Sequence, residues 1–399
     1  MYVQLRSGSW VTLERIRVYS WMVLGMSLAT IIFIWVYPLG MLDLMGRPKG
    51  TDFSNPYSAG KMALNAQAAA AYDYSDHYRE QQRIFSAGKE LPFYGWHYPP
   101  VFFLIATLLS MVPYMVALLL WMLLTFLAYL AMVRSIFPDR IGLLVAAAFP
   151  AVFITVGHGQ NAFLTAACLG LGLAFIKRYQ VLAGLFFGCL CYKPHFGLIL
   201  PLVLVCGGYW RAFVMASITV GVLVGLSYYF FGWESWVAFW HSQEITRTYV
   251  LEQVATGWEK IQSVFSFSRS LGWSVMTSYM VQACISVPTM AILGFLWFRG
   301  LNEATSAATA AGALLITPYV LDYDLVVLAI CITFLASNGM KQGFLPWEKT
   351  LLVFVWLVPG VTRILAMATG VPLGLIGMMG IFIWAAYRAT TIDLISQET

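Results

Sequence analysis

The chain has 399 residues, 60% hydrophobic and 10% charged, with a formal net charge of +5. Soluble globular domains hold about 45–50% apolar and about 25% charged residues, so a soluble fold is excluded. The small basic excess suits loops facing anionic membrane lipids and gives no sign of nucleic-acid binding.

Residues 98–133, 141–176, 212–233, 273–298 and 364–387 contain no Asp, Glu, Lys or Arg. A helix crossing a bilayer needs about 20 apolar residues, so these runs predict an all-α polytopic integral membrane protein of about 12 spans. At the N-terminus, Arg15 and Arg17 precede an apolar run from Val18 to about Leu39. It is too long for the core of a signal peptide and no small-x-small site follows, so it is expected to stay as the first span.

Residues 41–97 form the first long polar segment and hold 12 of the 41 charged residues. Asn55 suits an N-cap and Pro56 a first helical position, which predicts a helix over Pro56–Tyr72. A second is expected over Ser75–Phe85, and both have the pattern of amphipathic helices on a membrane surface. Asp52 stands just ahead of the first. A solvated loop carboxylate, a helix-dipole partner and a reactive group are all compatible with that position.

The run 98–133 reads as two helices broken at Pro113, followed by spans at 141–156, 161–176, 180–192, 196–208 and 212–231. Between two of these, "GHGQN" puts His158, Gln160 and Asn161 at a turn. "CYKPHFG" sets Lys193 in an apolar stretch, either as a snorkelling lysine or as a cation for a phosphate. The second polar segment, about 232–272, contains Lys260, Gln262, Ser263 and Arg269. Further spans are expected at 273–298, 303–317, 323–338, 350–362 and 366–387, with Tyr319, Asp322 and Asp324 entering the third of them.

The histidines 77, 97 and 241 lack metal-ligand spacing, and the cysteines 168, 189, 191, 206, 284 and 331 all lie in apolar runs. The cysteines are expected as core residues, and neither a metal nor a cofactor is expected.

Basic residues in short loops set the orientation. With the N-terminus, 134–140, 177–178, 211, 299, 341–349 and the C-terminus inside, that side holds 12 Lys/Arg, against Lys193 and Arg363 in the short outside links. Both polar segments, "GHGQN", "KPH" and "TPYVLDYD" then face outside. One conflict remains, because two crossings within 98–133 would leave 134–140 on the wrong side.

Nucleotide sugars are not available outside a cytoplasmic membrane, so a glycosyl donor there is carried on a lipid phosphate. The departing phosphate needs positive charge rather than a general acid, and the acceptor hydroxyl needs one aligned base. A secondary transporter or flippase would place its polar groups at mid-depth in broken helices. A lipid-linked glycan ligase or polymerase also needs outside cations.

Six motifs follow in order along the chain: "DFSNPY" (52–57), "YPP" (98–100), "GHGQN" (157–161), "AGLFFGCLCYKP" (183–194), "GWEKIQSVFSFSRSLG" (257–272) and "TPYVLDYDLVVL" (317–328). In these the chain resembles glycosyltransferase family 87, polyprenol-phosphate-mannose-dependent α-mannosyltransferases of the membrane-embedded GT-C superfamily. The resemblance implies one catalytic unit over residues 1–399 with a GT-C-type helical bundle, in the cytoplasmic (inner) membrane with its site facing outside. It implies Asp52 as general base, a polyprenyl-phosphate hexose donor (mannose in this family) and a lipid or lipid-linked glycan acceptor. Lys193 and Arg269 would lie near the donor phosphate, with Lys260 beside them. His97, Tyr98, His158, Gln160, Asn161, Gln262, Tyr319, Asp322 and Asp324 would line the sugar and acceptor site. Some relatives use a histidine near the last motif, whereas here none follows His241. Phe53 and Ser54 follow Asp52, so there is no Asp-x-Asp pair, which favours a metal-independent site.

Overall fold

A computed structural model describes residues 1–86, 90–253 and 257–397, with side chains as far as residue 391. Parts of both polar segments, 87–89 and 254–256, lie outside the described residues. The first span, Leu13–Val36, starts at Thr12, whose hydroxyl accepts from the Arg15 N–H at 3.3 Å. Almost all of its side chains face outward, as a lipid-exposed helix requires. Its far end is closed by Lys49, whose buried ammonium donates to the carbonyls of Trp35 (2.8 Å) and Pro38. A cation there satisfies orphan carbonyls and complements the negative end of the helix dipole.

The chain then turns through Gly50 into a 3₁₀ turn, Thr51–Phe53, and directly into the helix Ser54–Leu64. This helix starts earlier and ends sooner than the predicted Pro56–Tyr72, and a separate 3₁₀ turn covers Ala69–Tyr72. Asn55 is therefore inside the first helical turn rather than at its cap, and its Nδ2 donates to the Gly95 carbonyl at 2.5 Å. Nor does the helix lie on a surface, because Ser54 to Gly60 are all buried. It packs on Phe103–Ser110, where a Cβ on Gly60 would stand 2.2 Å from the Ala106 carbonyl oxygen. The second helix, Tyr74–Phe85, buries His77, Gln81 and Phe85 and pairs Arg83 with Glu80 and Arg79 with Asp76 on its outer face.

Among the described residues, seven helices are long and apolar enough to cross a membrane, and Arg140–Ala147 with Pro150–His158 forms a further candidate bent by 53°. Four shorter apolar helices, Pro100–Ser110, Ala162–Phe175, Gln180–Tyr192 and Pro194–Cys206, accompany them, so length alone gives seven or eight spans among the described residues and does not fix the expected number of about 12. The run 98–133 supplies one full span, Tyr114–Ile136, because the piece before Pro113 is too short to reach across. That removes the conflict over residues 134–140. The helix Trp210–Ile245 turns at Gly232 (φ 74°) and continues as a π-helix over Thr246–Glu252, so the second polar segment begins as helix.

The Ala-rich helix Glu303–Leu315 is buried from Ala304 onward and packs against Leu328–Gln342 and Leu373–Gln397. Small side chains permit that close approach in lipid, where apolar burial alone gives little drive. At one end of the bundle the basic loops meet. Trp347 N–H donates to the Arg6 carbonyl at 2.6 Å, Lys341 pairs with Glu303 at 2.5 Å, and buried Arg388 binds Glu348, Asn338 and the Gly343 carbonyl.

Candidate active site

The polar motifs gather away from that basic end, around Asp52. Two glycines shape its turn. Gly50 has φ 69°, and Gly159, the left-handed cap of Pro150–His158, has φ 64°. A Cβ on Gly159 would stand 2.6 Å from the Phe53 Cβ and 2.9 Å from the Gly50 oxygen. The "GHGQN" turn thus rests directly on the Asp52 turn. Gln160 Nε2 donates to Asp52 Oδ2 at 2.8 Å, and His158 Nδ1 lies 3.9 Å from the same oxygen. His158 Nδ1 also shares a hydrogen bond with the Thr51 hydroxyl at 2.9 Å. Both contacts fall on Oδ2, and Oδ1 accepts no hydrogen bond among the described residues, while the side chain is 27% exposed.

Gln160 is itself held. Its Oε1 accepts from the Tyr98 hydroxyl at 3.3 Å and from the Asn161 N–H at 3.2 Å. Burial raises the Tyr98 phenol, with Tyr319, Asp52 and Asp324 adding to the shift, so Tyr98 stays a proton donor. Tyr319 is raised by burial and by Asp324 and Asp52, and Tyr94 by burial and then chiefly by Asp52. Asp52 therefore stands among phenols that stay neutral.

Beneath this layer Lys193 and Asp324 are both buried and paired at 2.5 Å, and Lys193 also donates to Asn161 Oδ1 at 3.3 Å. Asp324 Oδ2 accepts the Leu321 N–H at 3.1 Å. A lysine at this depth needs a counter-charge, and Asp324 supplies it. Lys193 thus differs from the expected phosphate ligand in having its charge already matched. Asp322 Oδ1 accepts the Tyr323 N–H at 2.9 Å, and Oδ2 faces the Arg363 guanidinium at 3.6 Å.

The second polar segment joins by an isolated bridge, Ile261 to Leu321, with the Asp322 N–H donating to the Lys260 carbonyl at 2.9 Å. Its side chains divide. Lys260 is half-buried, and its ammonium has no partner among the described residues. Gln262 is fully buried, donating to the Glu259 carbonyl at 2.7 Å and accepting from the Thr362 hydroxyl at 2.7 Å, so it braces the segment rather than lining open space. Arg269 is bound to carbonyls of Glu252 (3.2 and 3.3 Å) and Trp273 (2.5 Å). His97 shares a hydrogen bond with Thr246 at 2.8 Å and is pushed down to about 4 by burial.

The structure thus brings Asp52, His158, Gln160, Tyr98, Asn161, Tyr319 and Asp322 together. It pairs Lys193 with Asp324 below them, and holds Gln262, Arg269 and His97 by other contacts. Thr51, Tyr94 and Arg363 were missed as site residues. Arg363 did carry a signal, as a lone cation between the apolar runs 350–362 and 364–387. Among the described residues no three or more His, Cys, Asp or Glu side chains gather to hold a metal ion. Two surface cavities, of about 420 Å³ beside Asp139 and Lys341 and about 270 Å³ beside Asp76 and Arg83, do not contain Asp52.

The chain is a multi-pass helical membrane protein with a partly open carboxylate, Asp52, among phenols. Residues 96–321, more than half of the chain, match glycosyltransferase family 87; the chain belongs to that family and is a glycosyltransferase. The match includes Tyr98, Gln160, Lys193, Gln262 and Tyr319, while Asp52, Asp322, Asp324 and Arg363 lie outside it. No curated protein and no solved structure matches the chain.

Proposed function

We propose that the chain, acting as one unit over residues 1–399, transfers mannose from a polyprenyl-phosphate carrier to a lipid or lipid-linked glycan acceptor. The reaction inverts the anomeric centre and takes place at the outer face of the cytoplasmic membrane, with Asp52 as general base. The observation that carries this reading is the asymmetry of Asp52: Oδ2 is fixed by Gln160 at 2.8 Å, and Oδ1 is left for the acceptor. Oδ1 takes the acceptor proton as the hydroxyl oxygen attacks the anomeric carbon from the face opposite the phosphate. The C–O bond to the phosphate breaks with its electron pair remaining on the phosphate oxygen, so no general acid is needed.

The proposed side rests on charge. Counted in short loops, 12 Lys/Arg lie at the end away from Asp52 and two at its end.

The test is to incubate purified protein with labelled polyprenyl-phosphate-mannose and a lipid extract of the source cells, and in parallel with a nucleotide-linked mannose. Label is expected in a lipid product only from the polyprenyl donor. Transfer from the nucleotide sugar alone would overturn the reading.

A further inference from the structure

Not every cation expected at the departing phosphate is free to meet it. Lys193 is 4% exposed and paired with Asp324, and Arg269 is bound to main-chain carbonyls. Arg363, near the C-terminal end of the span Glu348–Thr369, is different. Its side chain is 36% exposed, and its ion-pair partner, Asp322, is 3% exposed and lies 3.6 Å away, beyond a hydrogen bond. Asp322 Oδ2 is a buried acceptor that no donor among the described residues reaches. Buried carboxylate oxygens are normally saturated, so this pair is loosely held, with guanidinium donors left over. The residue after Asp322, Tyr323, has its ring 6.3 Å from that of His158, the neighbour of Asp52, which puts Arg363 in the same cluster as the base. The neighbouring Lys260 carbonyl holds the Asp322 N–H at 2.9 Å, fixing the backbone from which that carboxylate projects.

We propose that Arg363 binds the phosphate of the lipid-linked donor and that Asp322 is the positioning residue that aims its guanidinium; this rests on the polyprenyl-phosphate donor proposed above. A planar guanidinium can meet two phosphate oxygens at once, which a lysine cannot. The donor is a phosphodiester with one negative charge. As its glycosidic C–O bond breaks, the electron pair stays with the phosphate, which becomes a monoester of greater negative charge. Attraction to Arg363 therefore grows along the reaction, and its loss lowers kcat more than it weakens donor binding.

The experiment compares wild type, Arg363→Ala, Arg363→Lys and Asp52→Asn in detergent. It measures transfer from polyprenyl-phosphate-mannose, and binding of farnesyl phosphate and of farnesol as short probes. Arg363→Ala is expected to bind farnesyl phosphate about tenfold more weakly and to lose about 100-fold in kcat, with farnesol binding unchanged. Arg363→Lys falls between, and added guanidinium ion restores part of the Arg363→Ala rate but none of the Asp52→Asn rate. Wild-type affinity for farnesyl phosphate and wild-type kcat in Arg363→Ala would overturn the proposal. So would equal losses for farnesyl phosphate and farnesol, which signal structural damage. A wild type unable to use any polyprenyl-phosphate sugar would instead sink the donor reading, and this proposal with it.

Discussion

The two oxygens of Asp52 do different work. Oδ2 is fixed by Gln160, and Gln160 is fixed in turn by Tyr98 and the Asn161 N–H. Gln160→Ala keeps the base but frees its rotation. A hydrogen bond to a charged group contributes about 1.5–3 kcal/mol, so kcat is expected to fall about 10- to 100-fold with donor binding little changed. Steady-state kinetics with the donor varied separates the two; an unchanged kcat would remove Gln160 from the account. Gly159→Ala acts through shape. It puts a side chain at φ 64° and against Phe53, so thermal unfolding is expected to show a loss of about 1 kcal/mol or more, with activity falling as the Asp52 turn is displaced. At this scale the sequence marked Asp52, Gln160 and His158 as polar residues at span ends. It could not show which lysine or arginine was already paired, because pairing across 131 positions, as between Lys193 and Asp324, is a fact of tertiary packing.

Elements carry the site, and two of them carry separate predictions. The Lys193–Asp324 pair ties the link before Pro194–Cys206 to the start of the span Asp322–Gln342. Removing one partner leaves a buried charge, so Lys193→Ala is expected to destabilise by about 3–5 kcal/mol. Lys193→Met with Asp324→Leu is expected to cost less than the sum of the single changes, which thermal unfolding of all four proteins measures; strict additivity would deny the pairing. In the helix Tyr74–Phe85, buried His77 is pushed down to about 3 by burial, with His97 adding to the shift. An unfolded histidine titrates near 6.5, so below that pH the unfolded chain gains a proton that the folded segment refuses. The stabilisation from neutral His77 is complete above about pH 6.5 and is lost as pH falls toward about 3, by about 1.4 kcal/mol per pH unit. Limited proteolysis of this segment between pH 7 and pH 4 is expected to accelerate in wild type and much less in His77→Gln; equal acceleration would place the sensitivity elsewhere. Helix Tyr74–Phe85 was legible from its amphipathic pattern, with Tyr78, Ile84 and Phe85 set against charges. The inward packing of Ser54–Leu64 was not, because Asn55 and Pro56 signal a helix start without saying what covers it.

At the scale of the whole molecule, composition alone fixed the class, and the charge-free runs located most helices. The crossing count stayed unsettled over 98–133, since hydropathy does not distinguish a half-length helix from a span. Pro113 marked the break, and the length of Pro100–Ser110 decided which piece crosses. The proposed orientation predicts that Tyr74→Cys, in a cysteine-free background, reacts with a membrane-impermeant maleimide in intact cells while Lys341→Cys does not. Reversed labelling would invert the topology and put Asp52 on the nucleotide-sugar side. The central claim is that Asp52 takes the acceptor proton in transfer from a polyprenyl-phosphate sugar. Its most direct test is turnover of wild type and Asp52→Asn at saturating polyprenyl-phosphate-mannose, with farnesyl phosphate binding as the control for fold. The account predicts unchanged binding and a kcat lower by about 100-fold or more; near-normal turnover in Asp52→Asn would contradict it.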